Sequence, residues 1–576
     1  MWATGPDAVR SWEEDVSTSL VDRPLLAVLT LREAWRRARR RLRTGPIHRW
    51  RFAGSVPDQL LVVPPNLRHG DPAVAEAIYG GRFHFANQLL EPGRSSIFEL
   101  ALPSPAYAAE LNGFEWLRHH AEAGDALAVA NARTLVDDWI RLKGRTIGGP
   151  AFEPAVTARR VIAWMTHADM LLTDAELGFY RRFMKSLAGQ ARYLRSIAQE
   201  APDGTPRLTV RIALAFAALC LPTPNARIRL AALHLADELD RQVFSDGGHF
   251  SRDPGTVARL RADLIPLRQT FVGQGQPLPR GIYTAIEGML PALRFFRHSD
   301  GSLALFNGAG ASDSHLLAVL LRFDETLGEP MFNARQSGYH RLAAGHTVVI
   351  ADTGCPPPPA VSGDAHAGTL AFELSSEASR IVVNCGRPVG EDGDWRRLSR
   401  STAAHSTVTI ADQSSSRFAR SESLDRFLGT PLVPGPTRVD CAETGDSGLG
   451  FEATHNGYER GFGLLHSRHI EIGRDGRSVL GADRFVRTGA HRPQMIARDA
   501  TARFHLHPSV VVETAGEAIR LSVRDQTWLF RCDARCEIED SVFFADIAGA
   551  RRTLQLVVAF DALSADGIAW RFDRER

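Results

Sequence analysis

The side chains best suited to proton or metal chemistry gather in the second half of the chain. In SGDAHAGTLAFELSS (Ser362–Ser376) a single histidine, His366, sits among small residues just before an alternating strand pattern, with Asp364 two positions ahead of it. An imidazole so placed can bind a metal, move a proton or fill space. His405 follows in AAHSTV, and Asn384 stands between the two histidines in VVNCG. The run DWRRLSRSTAAH brings Arg396, Arg397 and Arg400 up to His405. Guanidinium forks clustered in a loop suit a carboxylate or a sulfate.

The first half offers fewer candidates. His249 follows the turn SDGG and leads into FSRDP. It suits a base or a carboxylate neutraliser in a groove, or a loop-stabilising role beside Arg252 and Asp253. Tyr283 opens a helical segment after QPLPRGI. Its phenol suits proton abstraction, and its place in a helical pattern suits packing. FEPAVTARRVIAW sets Arg159 and Arg160 in the first turns of a helix behind Glu153. One arginine is expected to meet a ligand carboxylate and the other an acid of the protein. Trp164, one turn after Arg160, stacks on a sugar ring or fills the core. Trp116, His119 and His120 carry the same ambiguity. Tyr339 and His340 in SGYHRL read as packing residues.

Composition narrows the classes. The 576 residues exceed one ordinary domain, and 44% hydrophobic residues supply a large core. A net charge of +2 argues against a dedicated nucleic-acid binder. Lys143 and Lys185 are the only lysines, so any anion-binding groove is arginine-lined. Six cysteines form no CxxC pair; Cys532 and Cys536 in RCDARC are a weak metal signal. GAGASD (308–313) lacks the lysine of a phosphate loop. The N-terminal residues lack a basic region followed by an apolar run, so no secretory signal is expected and the sequence reads as cytoplasmic. No apolar run reaches the length of a membrane span. LREAWRRARRRLRTGP reads as a short basic helix, either a solvated face or a helix lying on an anionic membrane surface.

Two kinds of element must position these groups. From about residue 105 to 300, segments such as ELGFYRRFMKSLAGQARYLRSIAQ and IRLAALHLADELDRQVF repeat apolar residues every three or four positions. They predict consecutive helices joined by short links, arranged in a ring or stack. After SDGSLALFNGAG the period falls to two, in HTVVIADTG, TLAFELSS, RIVVNCG, STVTIADQ and TLQLVVAF. These predict a large antiparallel β domain, most simply a sandwich. TGCPPPPAVSGD is a stiff loop between two of its strands, and it carries the chain into the His366 stretch. The expected divisions are a basic helical arm over 1–47, a helical domain with a mixed entry over 48–312, and a β domain over 313–576.

The ordered set GGRFHFANQ, NGFEWLRHH, FEPAVTARRVIAW, DGGHFSRDP, SGYHRLAAGHTVVIADTG, HAGTLAFEL and STAAHSTVTI resembles the heparinase II/III-like polysaccharide lyases. The resemblance implies an incomplete (α/α) toroid joined to an antiparallel β-sandwich. An acidic polysaccharide or oligosaccharide would lie in the groove between them. It also implies β-elimination beside a uronate carboxylate. That reaction needs a carboxylate neutraliser, a base for the C5 proton and an acid for the leaving oxygen.

The family assigns these roles to an Asn or His, a Tyr and a His. Anchored on Phe372, its motif His-x-His-x-Asp-x-x-x-Phe puts the catalytic histidine on Asp364, the second histidine on His366 and the aspartate on Gly368. The tyrosine position falls on Thr256, and the neutraliser falls near Arg207. All three catalytic positions are therefore substituted. The residues expected to move protons in their stead are His249, Tyr283, Asp364 and His366. Arg160, Arg207, Arg396, Arg397, Arg400 and Trp164 are expected to hold substrate. By the same resemblance a sandwich zinc would be held by His366, Asn384 and His405. Members usually work outside the cytoplasm, which implies a periplasmic or envelope location. The substitutions leave two alternatives: a glycan-binding or structural protein on the same scaffold, or a hydrolase using Asp364 with a second carboxylate. The enzyme reading requires His366 and His249 to open onto one cavity.

Overall fold

The computed structural model describes residues 22–45, 52–144, 146–322, 331–390, 393–419, 421–433, 435–444, 449–489 and 497–575. An (α/α) toroid is followed by two large antiparallel sheets.

The toroid helices form where the sequence period predicts them. In Leu177–Ile197 the buried Phe179, Phe183, Leu187, Ala191 and Leu194 recur every three or four positions, and this stripe faces inward. Thr205–Cys220 is buried at every position from Leu208 onward. It packs against Pro154–Thr166, Asn225–Gln242 and Pro254–Gly273, so it is buried all round and mostly apolar, with Thr209 and Arg211 the polar exceptions. Asp253 caps Pro254–Gly273, accepting from the Gly255 amide at 2.8 Å with proline in the first turn.

One sheet runs in the order Cys536–Phe543, Arg551–Asp561, Asp499–Leu506, Ser379–Val383, Phe372–Ser376, Thr347–Asp352, Tyr339–Ala344 and Asn333–Ala334, with Val408–Ile410 also on Asp499–Leu506. The other runs Val511–Ala515, Ala518–Val523, Gln526–Cys532, Ile568–Arg574, Ser478–Arg487, Leu464–Ile472, Gly450–His455 and Val439–Thr444. Phe372, Leu374, Val382 and Phe504 of the first sheet share one core with Ile470, Trp528, Trp570 and Phe572 of the second. Inside that core Asp483 takes both ends of the Arg468 guanidinium (2.7 and 3.0 Å), His466 (2.8 Å) and the Trp570 indole N–H (2.9 Å).

Two buried polar clusters join toroid to sandwich. Arg252 donates to the carbonyls of Ser337, Gly338 and Cys355 and to Asp352 Oδ1 at 2.6 Å. Asn307 donates to Asp352 Oδ2 (3.0 Å) and to the Tyr339 hydroxyl, which itself donates to the Arg252 carbonyl. Glu373 receives His298, Arg380 and the Leu305 amide. The basic arm is the helix Arg23–Thr44. Arg36, Arg43 and Arg40 tie it to Glu200, Ser196 and Glu153 of the toroid, and Arg37 ties it to the Phe427 carbonyl of the β half.

Among the described residues no helix is long and apolar enough to cross a membrane.

Candidate functional site

The loop carrying His366 is built on buried arginine. Arg400 donates to the carbonyls of Ala365 (2.8 Å), Ser362 (2.9 Å) and Thr430 (2.8 Å) and lies 4.6 Å over the Phe418 ring. Burial pulls its guanidinium down to about 9. Arg396 donates to the Gly363 carbonyl (2.7 Å), Asp364 Oδ1 (2.9 Å) and Thr430 Oγ1 (2.8 Å). Arg400 and Arg396, expected to hold substrate, therefore shape the loop. Arg397 leans toward Phe418 with its Nε buried and unpaired.

Asp364 is the loop's half-exposed member. Its side chain rests on Gly308, where φ is +99° and an added Cβ would lie 2.9 Å from the Asp364 Cβ. Arg396 and Arg387 (3.5 Å) hold the carboxyl far below its ordinary range despite its burial on one side. A carboxylate so held is a poor general acid and a weak base.

The His366 ring is turned inward, away from proton chemistry at a surface. Its Nδ1 meets His405 Nε2 at 2.9 Å, and His405 Nδ1 meets the Ser401 carbonyl at 2.7 Å. A carbonyl only accepts, so His405 Nδ1 carries a proton and its Nε2 accepts from His366. Burial holds His366 well below the ordinary imidazole value and His405 at about 4.

The third expected ligand does not join them. Asn384 spends its amide elsewhere: Oδ1 accepts from the Ser406 amide (3.0 Å) and Nδ2 donates to Glu373 (3.3 Å). An added Cβ at Gly368, the position of the motif's aspartate, would lie 2.7 Å from His405 Cδ2. The neighbouring Cys385 thiol is buried, 3.6 Å from His505, and pushed up to about 12. Among the described residues no group of three or more His, Cys, Asp or Glu side chains could hold a metal ion. The donor set does not fit zinc, which asks for four N, S or O donors, an anion commonly among them.

His249 is also sealed. Nε2 meets Gln242 Oε1 at 2.8 Å and Nδ1 meets Ser251 Oγ at 2.7 Å. Burial drives the imidazole down to about 3. The expectation that His249 and His366 open onto one cavity is not met, because both rings are enclosed by their own partners. Tyr283 points outward on the helix Arg280–Phe295, 53% exposed, where neither the groove nor the core reaches it. Thr256, at the tyrosine position, is buried and donates to Asp253 Oδ2 at 2.7 Å.

Arg160 and Trp164 belong to the toroid core. Arg160 donates to Gln190 and to the carbonyls of Asn112 and Ala151, and it lies 3.9 Å over the Trp139 ring. Among the described residues it has no carboxylate partner, and burial lowers its pKa well below the arginine value. Trp164 stacks on Phe183 at 5.1 Å. Arg207 donates to the Ala201 carbonyl (3.1 Å) and faces Asp203 at 3.5 Å.

The structure assembles a different group of cations. A cavity of about 380 Å³ opens on the toroid beside the segment that leads to the sandwich, and Arg68, Arg118, Arg159 and Arg259 line it together with the turn 309–313. Asp263 is buried behind them and holds Arg159 at 2.6 Å and Arg68 at 2.8 Å. Arg259 pairs with Asp253 at 2.6 Å. Arg118 donates to the Glu115 carbonyl (3.0 Å), and among the described residues no carboxylate lies within 4 Å of its guanidinium. Burial lowers its pKa. The far side of the turn reaches the loop already described: an added Cβ at Gly310 would lie 3.7 Å from Arg387 Cβ. The sequence reading singled out Arg159 but missed Arg68, Arg118 and Arg259. Apart from Arg68 in NLRHGDP, these sit in or beside the quoted motifs, and spacing alone cannot show that they converge.

Comparison with known proteins agrees with this architecture. The family described as "Heparinase II/III-like, C-terminal" matches residues 326–573. "FtsZ-localized protein C" of Caulobacter vibrioides is 32% identical over 530 residues, 89% of this chain and 90% of that protein. A solved heparinase III superposes with a TM-score of 0.69 at 15% identity, covering 91% of this chain and 88% of its own. The heparinase III BT4657 product superposes at 0.61 and 14% identity, covering 91% and 87%. The heparan sulfate lyase HepC of Pedobacter heparinus, in a mutant form, gives 0.58 and 15% identity over 99% and 91%. The chain is a divergent member of the heparinase II/III-like family.

Proposed function

We propose that this chain is a binding protein on the lyase scaffold, which holds an acidic, uronate-containing oligosaccharide or polysaccharide segment at the arginine cavity without cleaving it. The observation that carries this reading is Arg118, a guanidinium desolvated at the cavity and, among the described residues, with no carboxylate within 4 Å, although Glu115 and Asp313 line the same cavity. Such a group is stabilised by an incoming carboxylate or sulfate, to which it can offer a bidentate fork.

Elimination asks for more than a neutraliser. A base must reach the C5 proton and an acid must reach the leaving oxygen. Among the described residues the cavity lining contains no histidine and no tyrosine, and the positions matching the family's catalytic residues are a hydrogen-bonded Thr256, a clamped Asp364 and an Arg207 tied to its own turn. Its carboxylates, Glu115 and Asp313, stand among the arginines. Binding without turnover is the chemistry these groups support.

The relative named for localising with FtsZ resembles this chain along nearly its whole length, which supports a setting at an FtsZ assembly. The fold relatives named heparinase and heparan sulfate lyase support a glycan as the ligand class.

The test is titration calorimetry with a panel of uronate oligosaccharides, run beside ultraviolet detection of the conjugated enoate that elimination leaves. Saturable, salt-sensitive binding with no enoate is expected. Protein-dependent growth of that absorbance would replace the binding reading with the lyase one. Midcell fluorescence that persists after FtsZ depletion would remove the proposed setting.

A further inference from the structure

We propose that in this chain a direct imidazole–imidazole hydrogen bond between His366 and His405 takes the structural place of a metal, and that the sandwich folds and functions without zinc. The inference starts from a disagreement. The sequence resemblance implies a zinc on His366, Asn384 and His405, and the side chains are arranged for something else.

Consider first what a shared metal would require of the two rings. A zinc takes a lone pair from each imidazole at about 2.0–2.1 Å. Both facing nitrogens must then be unprotonated. Here the Ser401 carbonyl, 2.7 Å from His405 Nδ1, fixes that nitrogen as the donor. His405 Nε2 is left as an acceptor, and His366 Nδ1, 2.9 Å away, supplies the proton. The rings meet edge to face at 75°. The proton between them satisfies both facing nitrogens, as a metal otherwise would.

The third ligand that the resemblance implies is redirected, and the space beside the rings is filled, each by an identifiable contact. The loss of a side chain at position 368 opens the space the His405 ring now fills, since an added Cβ would lie 2.7 Å from His405 Cδ2. Asn384 is fully buried, and its amide bridges the Ser406 amide and Glu373. The negative charge the metal would need sits on Glu373, where Arg380 at 2.8 Å already balances it and the neutral His298 ring donates to it at 2.8 Å. The pair still performs a structural task. His405 is fastened to the turn entering Thr402–Ala404, and His366 is fastened through its own amide to Asn307 Oδ1 (3.3 Å), so the bond ties the Arg400 loop to the domain junction.

The experiment uses the full chain, produced in zinc-supplemented medium and dialysed. Metal content is measured by plasma mass spectrometry, and the melting temperature is measured with and without EDTA. Zinc far below one per chain and an unmoved melting temperature are expected, because a bound metal stabilises the fold it binds. His405→Ala and Gly368→Asp should each lower the melting temperature, the first by breaking the bond and the second by colliding with the ring, and neither should change metal content. Stoichiometric zinc whose X-ray absorption shows imidazole ligands, with a melting temperature that EDTA depresses, would overturn the proposal. That measurement needs only the wild-type chain, so it decides the matter even if a variant fails to fold.

Discussion

Arg252 and Asp352 meet at 2.6 Å in full burial, one from the toroid and the other from the sandwich. The contact is more than an ion pair. Arg252 also holds the carbonyls of Ser337, Gly338 and Cys355, and Asp352 also receives Asn307 and the Gly354 amide. Every polar atom brought out of water here has a partner. Removing one partner strands the other, and breaking a buried pair in this way costs about 3–5 kcal/mol. Arg252→Ala should therefore lose about that much stability in urea denaturation. A loss under ~1 kcal/mol would show that the domains do not depend on this junction.

Arg160 and the cavity residue Arg118 should respond in opposite ways. Arg118 faces the arginine cavity with Arg159, whereas Arg160 is enclosed among Trp139, Phe152 and the carbonyls of Asn112 and Ala151. Arg160→Ala should be strongly destabilising, because it opens a void and takes a strong donor from the buried carbonyls of Asn112 and Ala151, at about 1–3 kcal/mol for each lost partner. Arg118→Ala should leave the melting temperature nearly unchanged and weaken uronate binding about tenfold or more, the value of a hydrogen bond to a charged group. Calorimetric melting and binding titration on the two variants separate the roles. Equal effects on both readouts would contradict the division.

That contrast also marks what the sequence could reveal. The change of period from three and four to two located the toroid and the sandwich, because core-facing spacing is a local property of each segment. The ordered motifs identified the scaffold. Side-chain direction was not legible. Arg159 and Arg160 look alike in sequence, and the step of about 100° between neighbouring helix positions sends one to the cavity and the other to the core. His249 reads as a groove residue because it follows a turn, but Gln242 and Ser251 close over both its nitrogens. The cavity arginines come from positions as far apart as Arg68 and Arg259, so only the assembled fold brings them together.

The buried histidines set a pH dependence with a definite sign. His249 and His505 are held at about 3 and His167 at about 4, in each case chiefly by burial. In the unfolded chain they take up protons near pH 6.5. Below that pH the unfolded state binds more protons than the folded state, so stability falls as pH falls, until the folded values are reached. Each group contributes a slope of up to about 1.4 kcal/mol per pH unit within that window. Glu373, held down to about 2, acts in the same direction at lower pH, since its contribution is complete above the unfolded carboxylate value. Urea midpoints measured from about pH 7.5 down to about pH 5 should decline steadily. A flat profile would mean that these rings reach solvent in the folded protein.

Asp364 gives the sharpest separation of stability from binding. It is half-exposed, so its pairs with Arg396 (2.9 Å) and Arg387 (3.5 Å) are screened by water, and exposed pairs of this kind contribute roughly 0–1 kcal/mol. Asp364→Asn should accordingly shift the melting temperature little. Its effect on anions should be larger. The substitution removes a fixed negative charge from the edge of the arginine cavity and frees Arg387, whose backbone donates to the Ala309 carbonyl of the lining turn at 3.0 Å. Affinity for a uronate oligosaccharide should rise, and its salt dependence should steepen because one more guanidinium is open to the ligand. Titration at two ionic strengths reads both effects. A fall in affinity would instead make Asp364 a direct partner of the sugar, hydrogen-bonding a hydroxyl group.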